Sequence, residues 1–452
     1  MDIQNFSALF NTPARREAFL KLIKDNKTKH IFIQGLEGSS IALFFSNLLE
    51  HKQAHIIIAN DLDEAGYLYN DLVQINGNDH ILLFPSGYKR DIKYGQPDPP
   101  SEILRTEVLN RLCQKGESLL IVTYPEAIAE KVVPVNMLSE QTLHIDKNSK
   151  CDIITLSDKL RERGFEEVDY VYEPGQFAVR GSILDVFSYT NELPYRIDFF
   201  GKEVESIRTF EVETQLSTGK LEEVYIVANV CGQEASGISI LDFIDKNTIL
   251  ICHNLSWVID RISAIASESL SEQTLIAEEG DRYAMQKIID VTAFQKKITT
   301  FRRIDYGTSS EANAPAVIRF NCAPQGVYHK NFDLVSQSFS QFIEKGYTLY
   351  ILSDSEKQIE RLQAIFEERG DSISFTPVLK TLHEGFIDND LKIGCFTDHQ
   401  IFDRFHKYTL KSEHARSGKL ALSLKELNQI EVGDYIVHVD HGIGRFGGLI
   451  HT

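Results

Sequence analysis

The sequence predicts a multidomain α/β protein, with a parallel sheet flanked by helices followed by smaller β-containing units. Three observations favour this class. The chain has 452 residues, which exceeds the length of one ordinary domain. Short apolar runs alternate with helical patterns between residues 29 and 134, as expected of a parallel sheet. The pattern then changes to consecutive strands between residues 152 and 230.

The composition is typical of a globular protein, with 42% hydrophobic and 25% charged residues. The net charge of -18 argues against broad, sequence-independent binding to DNA, because neutralising phosphates needs a surplus of Lys and Arg. The sequence contains neither a secretory signal pattern nor an apolar run of 18 residues, so we expect a cytoplasmic protein without a membrane partner. Its six cysteines are scattered, which favours reduced thiols over a zinc site or a disulfide framework.

The first apolar run, HIFIQ, leads into the stretch GLEGSSIALFF, which has the layout of a strand, a phosphate-binding loop and a helix. A functional loop reads G-x-x-x-x-G-K-[ST], because the lysine reaches the phosphates and the hydroxyl binds Mg²⁺. Here Gly35 is followed by Ser40, Ile41 and Ala42. Isoleucine supplies no cation and alanine supplies no oxygen ligand, so the sequence predicts a degenerate loop.

The β-rich stretch contains GQFAVRGSILDVFSY and LPYRIDFFGKEVESIRTFEVET, with a tight hairpin turn predicted at Gly201-Lys202. The two-residue period of YRIDFF predicts a core face of Tyr195, Ile197 and Phe199 and an opposite face of Arg196, Asp198 and Phe200. Arginine and aromatic residues are enriched in protein interfaces. Two interpretations remain open: these residues bind a partner, or Arg196 pairs with Asp198 or a neighbouring glutamate and Phe200 folds under the turn.

Two further stretches have alternative interpretations. The loop 86 to 100 carries a set of basic and aromatic residues that could contact nucleic acid, although a surface connection is the favoured interpretation. The residues in question are Tyr88, Lys89, Arg90, Lys93 and Tyr94. Near the C-terminus, His438, Asp440 and His441 suggest a metal cluster, but polar residues at a strand end are favoured because no further ligands are suitably spaced.

The strands GQFAVRGSILDVF and ELPYRIDFFGKEVESIRTFEVETQLS resemble the module shared by UvrB and the Mfd family of bacterial transcription-repair coupling factors. The C-terminal GDYIVHVDHGIGRFGGL resembles the opening of the RNA-polymerase-interacting domain of that family. The whole chain is similar to the N-terminal half of the family. This resemblance implies a degenerate helicase-like α/β domain with an inserted UvrB-type β-rich domain, a further small α/β domain and the beginning of a small β-barrel.

The expected boundaries are residues 1–151 and 236–345 for the two parts of the UvrB-like α/β domain, and 152–235 for the inserted UvrA-binding domain. Residues 346–428 are expected to form the third domain, and 429–452 the start of the polymerase-interacting domain, into which we expect the chain to continue. The segment 241 to 262 resembles the UvrB strand that ends in an Asp-Glu pair, with Cys252 and His253 at those positions.

The resemblance therefore implies a module with no catalytic residue, no metal and no bound cofactor. ATP and Mg²⁺ are expected only in motor domains beyond residue 452, which would make the full protein an ATP-dependent DNA translocase. The family binds UvrA through residues that match Arg180, Arg196 and Phe200. The implied function is recruitment of UvrA to RNA polymerase stalled at a lesion, in nucleotide-excision repair. The rival functions are an active UvrB-type ATPase or helicase, and a DNA-binding module.

Overall fold

The structure of the protein is a computed structural model. It describes residues 1–25, 27–87, 99–114, 116–147, 149–191, 193–212, 214–228, 237–273, 288–308, 316–404, 406, 408, 435–438 and 442–445. The predicted class is confirmed at the level of a mixed α/β chain that contains a parallel sheet and a β-rich region. Among the described helices, none is long and apolar enough to span a bilayer. The loop residues 88 to 98, with Tyr88, Lys89, Arg90, Lys93 and Tyr94, and the C-terminal Asp440 and His441 lie outside the described residues.

The strands are, in chain order, β1 (His30–Gln34), β2 (Ala54–Ile58), β3 (Ile81–Leu83), β4 (Leu119–Thr123), β5 (Thr142–Asp146), β6 (Glu166–Glu167), β7 (Gln176–Arg180), β8 (Ile183–Val186), β9 (Tyr195–Phe200), β10 (Glu203–Phe210), β11 (Ser217–Leu221), β12 (Glu223–Val227), β13 (Ile249–Cys252), β14 (Arg302–Gly307), β15 (Ala316–Arg319), β16 (Cys322–Pro324), β17 (Thr348–Leu352), β18 (Thr376–Val378), β19 (Phe386–Asp388), β20 (Ile393–Thr397), β21 (Tyr435–His438) and β22 (Gly442–Arg445).

The helices are α1 (Ile3–Phe10), α2 (Pro13–Lys24), α3 (Ser40–Phe45), α4 (Leu62–Asn76), α5 (Pro99–Cys113), α6 (Pro125–Ala129), α7 (Val135–Glu140), α8 (Ile153–Glu162), α9 (Ile240–Phe243), α10 (Leu255–Gln273), α11 (Val291–Ile298), α12 (Phe332–Glu344), α13 (Glu356–Glu368) and α14 (Asp398–Ile401), with a 3₁₀ helix at Ser46–Glu50.

The first sheet has seven parallel strands in the order β15-β1-β14-β13-β2-β4-β3. Its central strands are buried on both faces, and β4 is buried at all five positions. Continuous apolar runs are typical of parallel strands covered by helices on both faces, which explains why these strands were recognisable in the sequence. Side chains at the N-termini of the surrounding helices cap them, as Thr12 does for α2 and Asp61 for α4.

The β-rich region is a six-stranded sheet in the order β11-β10-β9-β8-β7-β6, antiparallel except where β6 meets β7. Helix α8 and the separate β5-β12 pair contribute side chains to its larger core, which includes Leu156, Ile226 and Phe199. The strand β9 ends at Phe200 and β10 begins at Glu203, so the predicted two-residue hairpin turn is confirmed.

The third sheet is mixed, in the order β16-β19-β20-β17-β18, and packs on α12 and α13. Its strand β16 and helix α12 precede residue 346, where the sequence predicts the third domain to start. Similarly, β5 precedes residue 152 but pairs with β12 at the other end of the β-rich region. Strands this short carry too little pattern to show which sheet they join, since partners distant in sequence decide it.

The two α/β units share one continuous hydrophobic core. Helix α1 lies between them: Phe6 contacts the Tyr350 ring of the third sheet at a centroid distance of 5.1 Å, and Phe10 contacts Phe386 at 5.3 Å. The contact is reinforced by Arg15, which donates to the buried Asp388 at 2.6 Å. The third sheet is therefore packed against the first unit rather than tethered by a linker alone. At the C-terminal end, the strands β21 and β22 form an antiparallel hairpin.

Candidate functional site

The strand β9 alternates between buried and accessible positions along its length. The buried positions belong to the larger core of the β-rich region, and they are Tyr195, Ile197 and Phe199. The opposite face carries Arg180, Arg196 and Phe200, and we call it the arginine face. The predicted division of β9 into a core face and an accessible face is confirmed.

A single carboxylate holds the two arginines of this face. Asp185, on the strand between them, has a side chain that is only 1% exposed. It accepts hydrogen bonds from Arg196 at both oxygens, at 2.7 Å from Nε and 2.8 Å from Nη2, and it also pairs with Arg180. Two parallel bonds fix the plane of the guanidinium as well as its position. Asp185 thus orients both cations, a role that its place in the sequence does not indicate.

Arg196 is the more enclosed of the two cations. Its side chain is 14% exposed, its guanidinium carbon lies 4.3 Å from the centre of the Phe210 ring, and Nη1 donates to the Gln215 carbonyl at 3.0 Å. The hydrogen bonds from Asp185 raise the pKa of Arg196, while partial burial acts in the opposite direction. Most of the donors of Arg196 are already engaged within the β-rich region. We therefore expect it to stabilise the arginine face rather than to contact a partner directly.

Arg180 reaches further toward solvent. Its side chain is 34% exposed, and its guanidinium stacks over the ring of Tyr170 at 4.8 Å. An arginine held on one side by a carboxylate and an aromatic ring keeps its outer edge in a defined direction. Of the two arginines, Arg180 is therefore better placed to meet a partner.

Phe200 is the most exposed large apolar residue described in the chain, at 78%. It is the last residue of β9, next to the turn at Gly201, and its backbone pairs with Glu203 across the hairpin. It does not fold under the turn. The predicted pairing of Arg196 with Asp198 or a neighbouring glutamate is also wrong. The guanidinium binds Asp185 instead, while Asp198 accepts from Arg208 and, at 2.6 Å, from Ser206.

The stretch that resembles a phosphate loop joins β1 to α3. Gly35 and Gly38 have φ of +81° and +53°, values that favour glycine. A Cβ at Gly35 would lie 2.2 Å from the Phe320 carbonyl oxygen, and one at Gly38 would lie 2.8 Å from the Gly385 carbonyl oxygen. These glycines therefore permit a close approach of other backbone segments.

The hydroxyls at the start of α3 are buried and engaged. Ser40 Oγ donates to the Glu37 carbonyl at 2.7 Å, and Ser39 Oγ donates to Asp71 at 2.5 Å. Ile41 is half-buried and Ala42 is buried in the core that the two α/β units share. The positions of a phosphate-binding lysine and of a metal-binding hydroxyl are thus occupied by apolar side chains.

The second degenerate motif lies at the end of β13. Cys252 is buried and its thiol donates to Asp305 Oδ1 at 3.2 Å, whereas His253 is exposed. The carboxylate of Asp305 also binds His30 at 2.7 Å and Arg303 at 2.9 Å. A carboxylate does lie next to the position that corresponds to the acidic pair, but its oxygens are already engaged by Cys252, His30 and Arg303. Among the described residues, no group of three or more His, Cys, Asp or Glu side chains is arranged to hold a metal ion.

Comparison with known proteins agrees with this organisation. The UvrB interaction domain family matches residues 143–230, and the CarD-like/TRCF RID domain family matches residues 430–452. Two curated relatives are the transcription-repair-coupling factors of Staphylococcus aureus (strain MRSA252) and of Staphylococcus epidermidis, which are 23% and 22% identical over 92% and 93% of this chain. The chain spans 42% of the length of each relative. The chain is thus similar to the transcription-repair-coupling factors along nearly its whole length, with both domain matches in the expected order.

Proposed function

We propose that this chain recruits the repair protein UvrA to RNA polymerase stalled at a DNA lesion, in nucleotide-excision repair. One observation carries the proposal. Phe200, 78% exposed, lies on the same face as Arg180 of a sheet that falls within the match to the UvrB interaction domain. A few aromatic and arginine anchor residues dominate the binding energy of many protein interfaces.

The arginine face suits a preorganised docking surface. Phe200 offers a large apolar area with little side-chain entropy to lose, and Arg180 offers donors for a carboxylate or carbonyl of UvrA. Arg196 contributes mainly by fixing Asp185, which in turn holds Arg180. A surface that is already ordered before binding avoids part of the entropy cost of association.

The proposal includes a catalytically silent α/β module, formed by residues 1–151 and 236–345 around the UvrA-binding domain 152–235. The residues at the degenerate loop do not fit Mg·ATP, because Ile41 and Ala42 offer neither a cation nor an oxygen ligand. Glu384 also lies against the loop, where its carboxylate faces Glu37, and the two would repel phosphate. Phosphoryl transfer depends on positioning and charge stabilisation, and the side chains supply neither here.

In the longer protein, ATP and Mg²⁺ would act in motor domains that make it a DNA translocase, and residues 429–452 would begin a β-barrel that contacts RNA polymerase. Residues 346–428 would form most of the third domain, together with β16 and α12 from the segment before them, and the protein would work in the cytoplasm. The match at residues 430–452 to the CarD-like/TRCF RID domain supports the polymerase contact. Robust Mg·ATP turnover by the purified chain would instead favour the rival, an active UvrB-type ATPase.

The experiment is a titration of UvrA with the purified chain and two matched variants. Phe200→Ala removes the exposed ring, and Ile154→Ala removes an apolar side chain of similar exposure, 68%, from helix α8, which packs on the core face of the same sheet. We expect Phe200→Ala to weaken binding about thirtyfold, the equivalent of losing one anchor residue, and Ile154→Ala to leave it unchanged. Equal affinity of the wild type and Phe200→Ala would contradict the proposal.

A further inference from the structure

The degenerate phosphate loop is in direct contact with the third sheet's unit. The segment His383–Gly385, which precedes β19, lies across the start of α3. The Glu384 amide donates to Ser39 Oγ at 2.9 Å, and the Ser39 amide donates to the Glu384 carbonyl at 3.1 Å. These are two reciprocal hydrogen bonds between parts of the chain that are 345 residues apart.

A carboxylate from helix α4 completes the contact. Asp71 is fully buried, accepts from Ser39 Oγ at one oxygen and accepts from the His383 amide at the other, at 2.7 Å. One turn earlier on the same helix, the ring of Tyr67 stacks on the ring of His383, with centroids 3.5 Å apart and planes inclined by 11°. The helix therefore presents a ring and a carboxylate to the same segment, as residues four apart on a helix do.

The close approach depends on Gly38. A Cβ at this position would lie only 2.8 Å from the Gly385 carbonyl oxygen, so there is no room for a side chain. In a working phosphate loop, glycine lets the backbone approach a phosphate. Here it lets the backbone approach another backbone.

We propose that the degenerate phosphate loop is an internal docking site, in which Ser39 and Asp71 bind the segment His383–Gly385 and lock the two α/β units together. The amide of His383 and the hydroxyl of Ser39 both donate to the carboxylate of Asp71, which helix α4 places beside the loop. The glycines and serines of the loop then have a structural role. This role explains why they are present although the lysine and the metal-binding hydroxyl of the motif are replaced by Ile41 and Ala42.

Hydrogen exchange at single amides provides the test. In Ser39→Ala the Glu384 amide loses its acceptor, and in Asp71→Ala the His383 amide loses its acceptor. Each amide should exchange roughly ten- to a hundredfold faster than in the wild type, since a buried donor is left without a partner. Asp71→Asn keeps one acceptor oxygen, so it should restore most of the protection of His383. Amides of the buried strand β4 report whether the first unit remains folded.

Ser46→Ala is the matched control. Ser46 Oγ is also buried and bonds the Leu43 carbonyl at 2.7 Å, but this bond stays within the first unit. We expect Ser46→Ala to leave the exchange of residues 383 to 385 unchanged. The effects of Ser39→Ala and Asp71→Ala on amide exchange should be non-additive, because the two side chains share a hydrogen bond. Unchanged exchange of His383 and Glu384 in both alanine variants would overturn the proposal. Because no readout involves UvrA, the outcome is independent of the docking proposed for the arginine face.

Discussion

The arginine face and the degenerate phosphate loop are both organised around one buried carboxylate, but with opposite results. Asp185 holds two arginines that lie partly at the surface, on the face of the sheet that also carries the exposed Phe200. Asp71 holds a serine hydroxyl and a backbone amide in a contact that is closed to solvent. A recognisable sequence motif therefore does not show which surface of the molecule is accessible. The degenerate loop keeps its outline and is covered, whereas the arginine face has only a strand pattern and is open.

Removing the carboxylate of Asp185 should have the largest effect on stability. Asp185→Ala leaves Arg196 mostly buried without its bidentate partner, and we expect a loss of about 3–5 kcal/mol in the free energy of unfolding. Thermal and urea unfolding of the β-rich region measures it. The matched control is Asp198→Ala, whose carboxylate pairs with Arg208 at a more exposed position and should cost about 1 kcal/mol. Equal losses in the two variants would show that Asp185 is not the organising carboxylate.

The contribution of Asp71 to the stability of the protein should depend on pH. Burial raises the pKa of Asp71 to about 7, with Glu384 adding to the shift and the bonds from Ser39 and His383 opposing it. The folded state therefore holds a proton that the unfolded state has released above about pH 4. As pH rises from about 4 to 7, this group should lower stability by up to about 1.4 kcal/mol per pH unit, with no further loss above.

Asp71→Asn isolates this contribution because asparagine does not titrate. We expect the melting temperature of the variant, relative to the wild type, to increase between about pH 5 and 7. A difference that stays constant across this range would mean that Asp71 is ionised in the folded protein at every pH tested. The Ser46→Ala variant should run parallel to the wild type throughout.

The contrast between the two arginines sharpens the account of the docking face. Arg196→Lys loses the bidentate bond to Asp185 and the stacking over Phe210, and we expect it to cost about 1–2 kcal/mol of stability. Arg180→Lys should cost less stability, because its side chain is more exposed, but should weaken UvrA binding more per unit of stability lost. Unfolding curves and UvrA titrations on the same two proteins give both quantities. The reverse pattern would assign the direct contact to Arg196.

Much of the fold was predictable because it depends on local pattern. The strand HIFIQ, the alternation of β9 and the turn at Gly201 are each specified within a few residues. The partners of charged residues were not predictable. Asp185 is central because β8 lies between β7 and β9, and the sequence alone offered Asp198, only two residues from Arg196, as the nearer partner. The one signal in the sequence was an aspartate within the largely apolar run GSILDVF, since such a residue needs a partner if it is buried.

The interface at the phosphate loop was out of reach for the same reason. Nothing near Ser39 in the sequence predicts that Glu384 binds it, since the two are brought together by the packing of two separate sheets. An aspartate among the apolar positions of helix α4 was a visible irregularity, but its partner lies 312 residues away. The sequence thus showed that the loop lacks the lysine and the metal-binding hydroxyl. Only the tertiary structure showed that the segment His383–Gly385 packs against it.

The smallest expected effect concerns the turn that presents Phe200. Gly201 has φ of +65°, and a Cβ built there meets no atom within 4 Å, so Gly201→Ala carries only a conformational cost of about 1 kcal/mol. Gly201→Asn should cost less because asparagine tolerates this region, and Lys202→Ala should lie within about 0.5 kcal/mol of the wild type. If the alanine variant also weakens UvrA binding while the asparagine variant does not, the affinity depends on the conformation of the turn next to Phe200. If all three variants bind UvrA like the wild type, the exposed ring acts independently of the turn, and the sheet alone determines where it stands.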